Sequence, residues 1–113
     1  MSARLAARVE VSALIRRVEG EGGHAALLRR GDPEAGAILL LLAERGVPKM
    51  LLERLLDPKG DYRWSPTGPH DLTENEELSG YIERRRRFDS DLWIVELDVA
   101  GVERFAAAMI STG

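Results

Sequence analysis

Cysteine is absent from this chain. That excludes a disulfide framework, a thiolate metal site and a cysteine nucleophile. No apolar run approaches the roughly 18 residues of a membrane span, and the longest, residues 37–43, has the length of a strand. The opening Met-Ser-Ala-Arg-Leu lacks an apolar h-region, so no signal peptide is expected and the expected location is cytoplasmic. Neither sign of charge dominates. Nineteen acidic residues against 16 basic ones leave a net charge of −3, which supplies no general attraction to nucleic acid. Lysine is nearly missing: Lys49 and Lys59 stand against 14 arginines. Coding bias in a GC-rich genome accounts for this, and so would retention of guanidinium groups for bidentate or stacking contacts.

What is present is enough for one domain, residues 1–113, able to bury roughly two-thirds of its unfolded surface without staples. Neither an internal repeat nor a linker interrupts it. Within residues 4–19, Ala7, Val11, Leu14, Ile15 and Val18 share one stripe at 100° per residue, which predicts an amphipathic helix over about 7–19. Gly20, Gly22 and Gly23 end it. Residues 24–30 read as a short strand, and the turn residues of 30–36 suggest a hairpin into a second strand, 37–43. That second strand is apolar on both faces, hence central in its sheet, although its run of leucines, poorer strand formers than Val or Ile, leaves a helix open there.

Residues 49–57 fit a helix on pattern alone, with Pro48 at its first position. The turn Asp57-Pro58-Lys59-Gly60 and the aromatic Tyr62–Ser65 make a hairpin from 49–57 to 61–65 the more economical reading. A second helix is predicted over 73–87, opened by a capping box of Thr73 and Glu76 and closed by arginines at its negative end. Its stripe is Leu78, Tyr81, Ile82 and then Phe88. From residue 92 to 98, Trp93, Val95 and Leu97 alternate with Ile94, Glu96 and Asp98, which is a strand. Residues 100–110 read as a short terminal helix.

The expected architecture is therefore α+β: one domain, an antiparallel sheet of about four or five strands, and helices 7–19 and 73–87 on one face. The other face would carry Leu92 and Ile94. A symmetric homodimer or the C-terminal segment is expected to cover it.

Three stretches carry a resemblance. They are Arg16-Arg17 near a helix end, Arg30-Gly31-Asp32 with Ala35-Gly36, and the Arg-Arg-Phe-Asp-x-Asp-Leu-Trp-x-Val-Glu run at 86–96. Over about residues 5–98 the chain resembles a family of small bacterial proteins known only as a domain of unknown function. The resemblance implies a strand at 49–57. It implies no activity, substrate or catalytic residue.

No motif points to catalysis. Asp89, Asp91, Glu96 and Asp98 match no calcium-loop spacing. His24 and His70 lack triad or metal-helix spacing, and the glycine-rich stretches lack the lysine of a phosphate loop. No metal or cofactor is expected. The arginines are the one serious functional candidate. Arg84, Arg86, Arg87, Arg16, Arg17 and Arg30 would contact an anionic or acidic partner, with Trp64 and Tyr62 available for stacking. Arg85 differs: it shares the face of Leu78, Tyr81 and Ile82, and should lie at the core edge paired with Asp32, Asp89 or Asp91. Three classes stay open. The leading one is a small non-enzymatic binding or adaptor module, homodimeric in one version. The second is a nucleic-acid-binding domain, and the third an enzyme using Asp32 or Glu34 with an arginine.

Overall fold

The structure, a computed structural model, describes residues 5–69 and 71–112. Its elements in chain order are α1 (Ala7–Gly20), β1 (His24–Arg29), β2 (Ile38–Glu44), β3 (Val47–Leu56), β4 (Tyr62–Pro66), α2 (Asn75–Phe88), β5 (Trp93–Asp98) and α3 (Val102–Thr112). The strands form one open sheet in the order β1-β5-β2-β3-β4. The α+β class, the single domain and the five-strand sheet agree with the sequence reading. One pairing differs: β2 runs parallel to β5, and the other three are antiparallel.

β2 lies at the centre, and residues 38–43 are all buried. Such a strand needs cover on both faces, and it gets it. Ile38, Leu40 and Leu42 join Val95 and Leu97 under α1 and α3, while Leu39, Leu41 and Ile94 lie under Leu78 of α2. The expectation that the two long helices share a face is therefore corrected. α1 and α2 lie on opposite faces, because an apolar strand with two buried sides cannot leave one of them to water. Leu92 and Ile94, expected to await a second copy or the C-terminal segment, are fully buried in the cluster beneath α2. The C-terminal helix α3 instead joins α1, through Val102, Phe105 and Met109.

Residues 30–36 do not form a hairpin, because β5 is inserted between β1 and β2. A tight turn joins only strands about 4.8 Å apart. The loop instead locks onto the start of β5. The Asp32 N–H donates to the Asp91 carbonyl at 3.0 Å, and the Trp93 indole N–H donates to the Asp32 carbonyl at 2.7 Å. Asp32 Oδ2 accepts the Ala35 N–H at 2.7 Å and the Glu34 N–H at 3.2 Å, which holds the turn. The loop also supplies what α1 lacks. No side chain caps α1, and the Ala7 and Arg8 N–H groups donate to the carbonyls of Glu34 and Pro33 at 3.1 and 2.9 Å.

The β2–β3 turn places Arg45 and Gly46 at φ 52° and 79°, the left-handed pair that a two-residue hairpin needs. The Asp98 carboxylate steadies it by accepting the Arg45 and Gly46 N–H groups at 2.9 and 2.7 Å. β3 and β4 form the hairpin read from the Asp57–Gly60 turn. There the Asp61 amide, and then the Arg63 guanidinium, hold the Asp57 carboxyl below the usual carboxylate range.

Two local readings at α2 also change. The helix begins at Asn75, and its N-cap position, Glu74, makes no side-chain cap. Thr73 and Asp71 bond to each other instead of building a capping box. Phe88 is 81% exposed and not part of the apolar stripe, since the helix ends there and the chain turns away.

The lock between loop and sheet yields a prediction. A Cβ on Gly31 or Gly36 would overlap the Asp91 carbonyl oxygen and press on the Trp93 ring. Gly31→Ala and Gly36→Ala should each lose about 1–3 kcal/mol, as overpacked sites do. Gly20→Ala meets nothing within 4 Å and should be neutral or about 0.5 kcal/mol more stable. Urea unfolding of the three variants checks this, and equal midpoints would refute it.

Candidate functional site

Four consecutive arginines end α2, and a helix spaces them 100° apart. Only Arg85 turns inward. Its Nη1 and Nη2 donate to Glu53 Oε1 and Oε2 at 2.6 and 2.7 Å, and Nη1 also meets the Tyr81 hydroxyl at 3.1 Å. The bonds to Glu53 come first in holding the guanidinium proton more tightly than usual, against the opposing effect of burial. The partner is not one of the three aspartates expected. Asp32 holds its own turn, Asp89 Oδ1 accepts the Asp91 N–H at 3.1 Å, and Asp91 is exposed. Glu53 lies across the sheet on β3, where chain order gave no hint of proximity.

Glu53 has a neighbour of opposite role. Glu53 and Arg54 are 7% and 6% exposed, the charged pair buried in the sheet. Successive strand residues point to opposite faces, so Arg54 enters the α1 side, where it pairs with Glu10 of α1 and lies 5.1 Å from the Tyr62 ring. The sequence reading missed Glu53, Arg54 and Glu10. A signal existed: a Glu-Arg pair set among leucines in a strand must put one charge on each face.

Six of the other arginines form two surface groups at the β1 end of the sheet, whereas Arg45 lies in the β2–β3 turn, Arg63 on β4 and Arg104 on α3. Arg86 and Arg87 are exposed, and Arg86 lies 3.9 Å from Glu83. Arg29, from the end of β1, reaches the C-terminus of α2 and donates to the carbonyls of Arg86, Asp89 and Ser90 at 3.2, 2.7 and 3.1 Å. A positive group at that end complements the helix dipole. Arg29, Glu83, Arg86 and Arg87 line a shallow groove, while Arg84 is exposed and lies outside its lining.

On the opposite face a second groove is lined by Arg8, Val9, Ser12, Ile15, Arg16 and Arg30. The Arg30 guanidinium lies 5.8 Å from the Trp93 ring, and Arg8 is 3.6 Å from Glu34, both ends of that pair exposed. Arg16 and Arg30 are thus brought together. Arg17 is not: it faces Glu21 at 3.4 Å and lies over the Phe105 ring at 4.7 Å. Trp64 is 8% exposed and belongs to the core, which removes it as a stacking platform. Sequence alternation could not distinguish an aromatic facing water from one facing α3.

Among the described residues no three histidine, aspartate or glutamate side chains gather at a metal-binding distance. Asp98, one of the acidic residues considered, is committed to the Arg45-Gly46 turn. His24 is exposed at the start of β1, and His70 lies outside the described residues. None of the described helices is long and apolar enough to cross a membrane.

The fold and these surfaces define a small α+β domain with an open mixed sheet clad by helices on both faces. The family model of a protein of unknown function, DUF1491, matches residues 5–107, and the chain belongs to that family. Solved structures agree. A DUF1491 family protein from Caulobacter crescentus CB15 superposes with a TM-score of 0.74 at 33% identity, covering 84% of this chain and 88% of the other. Protein Atu0922 from A. tumefaciens gives 0.72 at 34% identity, with coverage of 88% and 90%. A solution structure of a C. crescentus family member gives 0.68 at 33%, covering 88% and 91%. No curated protein matches the chain.

The arginine geometry separates stability from surface chemistry. Arg85→Ala strands a buried Glu53 carboxylate and should cost about 2–4 kcal/mol. Arg84→Ala, Arg86→Ala and Arg87→Ala should each cost about 0.5 kcal/mol or less. Chemical denaturation of the four single variants measures this. Equal, small losses at all four positions would reduce the run to a solvated helix end.

Proposed function

We propose that this protein is a small non-enzymatic binding module, working in the cytoplasm, that holds an anionic or acidic partner through exposed arginines. The observation behind this reading is the convergence of two basic grooves on one end of the sheet. Arg16 and Arg30 belong to the α1 side, and Arg86 and Arg87 to the α2 side. Their only acidic lining residue is Glu83, in a chain whose net charge is −3. A basic zone on an otherwise acidic protein recognises an opposite charge locally and steers it there.

The burial of Trp64 weighs against single-strand nucleic-acid binding, which relies on exposed stacking platforms. Asp32 and Glu34 support an enzyme less well than they support the fold. Asp32 caps its own turn, and Glu34 is exposed beside Arg8.

Fluorescence anisotropy with labelled poly-L-glutamate at low salt tests the reading. The variant carrying Arg16→Ala, Arg30→Ala, Arg86→Ala and Arg87→Ala should bind about tenfold or more weakly, with a flatter salt dependence. Unchanged affinity in a folded variant would remove the proposal. Nucleic acid copurifying with the wild-type protein would transfer these arginines to the nucleic-acid reading.

A further inference from the structure

β1 ends the strand order, and among the described residues no further strand pairs with its outer side. Half of its backbone N–H and C=O groups therefore point away from β5. The opposite edge, β4, is shielded differently: it ends at Pro66, which has no N–H to offer, and α3 packs beside it. β1 has no proline. It also carries apolar surface, with Leu27 45% and Leu28 48% exposed.

The two basic grooves lie on either side of this edge. Leu27 is registered with Val95 of the α1-facing cluster, and Arg30, just beyond the strand, lies over Trp93 on that face. Arg29 is registered with Ile94 of the α2-facing cluster and reaches the end of α2. An incoming helix meets one face of a sheet. An added strand presents successive side chains to both faces, so it alone engages Arg16 and Arg30 together with Arg86 and Arg87.

Resting on the reading that these arginines hold an acidic partner, we propose that β1 binds an extended acidic peptide segment of another protein as a sixth strand. Adjacent carboxylates in that segment would face the two grooves, and adjacent apolar residues would cover Leu27 and Leu28. The register shift between Leu27 and Arg29 interrupts regular pairing there, and bulges with charges commonly blunt sheet edges. Because the exposed charges flanking this edge are mostly positive, they repel a basic strand and favour an acidic one over a neutral one.

The probe is a fluorescein-labelled, acetylated octapeptide, Thr-Thr-Val-Val-Glu-Glu-Thr-Thr, with two control versions N-methylated at alternate amides, odd or even. The wild-type protein should bind the parent peptide with added amide exchange protection in β1. At least one methylated version should lose about tenfold in affinity, as expected from removing two backbone hydrogen bonds. The exposed-site variant Leu27→Glu with Leu28→Glu should abolish binding. If both methylated peptides bind like the parent while the arginine variant binds weakly, strand addition is overturned and the anionic-partner reading stands. If the arginine variant binds like wild type, both fall. Tighter binding of an oligo-thymidylate of equal charge would assign the grooves to nucleic acid. Self-association abolished by the leucine variant would assign the edge to a second copy. Either result would overturn the proposal.

Discussion

Neighbouring residues of a strand point to opposite faces, and β3 uses that rule to hold both sides of the molecule. Glu53 reaches through one face to Arg85 of α2, and Arg54 reaches through the other to Glu10 of α1. A buried charge is costly unless a partner accepts it. Each member of the pair therefore fixes the position of one helix, and the two fixings share a single peptide bond. Apolar contact alone would let a helix slide over a leucine surface at little cost. A bidentate guanidinium–carboxylate pair restricts that sliding, because it satisfies its donors only in one geometry.

The same rigidity reaches the exposed arginines through the loop at 30–36. Its bonds to Asp91 and Trp93, and the carbonyls it gives to the start of α1, join the N-terminal helix to the start of β5. Arg30 is placed over Trp93 by that lock. Arg29, one residue earlier, is turned to the far face, where it closes α2. The basic grooves are thus positioned by structural contacts on either side of them. Such support is what a binding surface needs if its charges are to meet a partner without first being ordered.

Much of the fold was legible in the residues. The all-apolar 37–43 stretch announced a central strand, and the Asp57–Gly60 turn separated a hairpin from a helix at 49–57. The alternation from Trp93 to Leu97 correctly divided the two faces. What misled was non-local. β2 buried on both sides already required a helix on each face, yet nothing local says which helix takes which side. The turn residues at 30–36 resembled a hairpin, because the insertion of β5 is a contact 61 residues away in sequence. The inward direction of Arg85 followed from helical spacing, whereas its partner Glu53, 32 residues earlier, did not. Trp64 had the composition of a stacking residue, and only the position of α3 shows it to be core.

Native-state hydrogen exchange, resolved by helix, tests the central role of β3 most directly. Glu53→Met should lower protection chiefly in α2, and Arg54→Met chiefly in α1, each leaving the other helix close to wild type, because each side chain is bonded on one face only. Uniform loss across both helices in both variants, or no loss in either, would contradict the account.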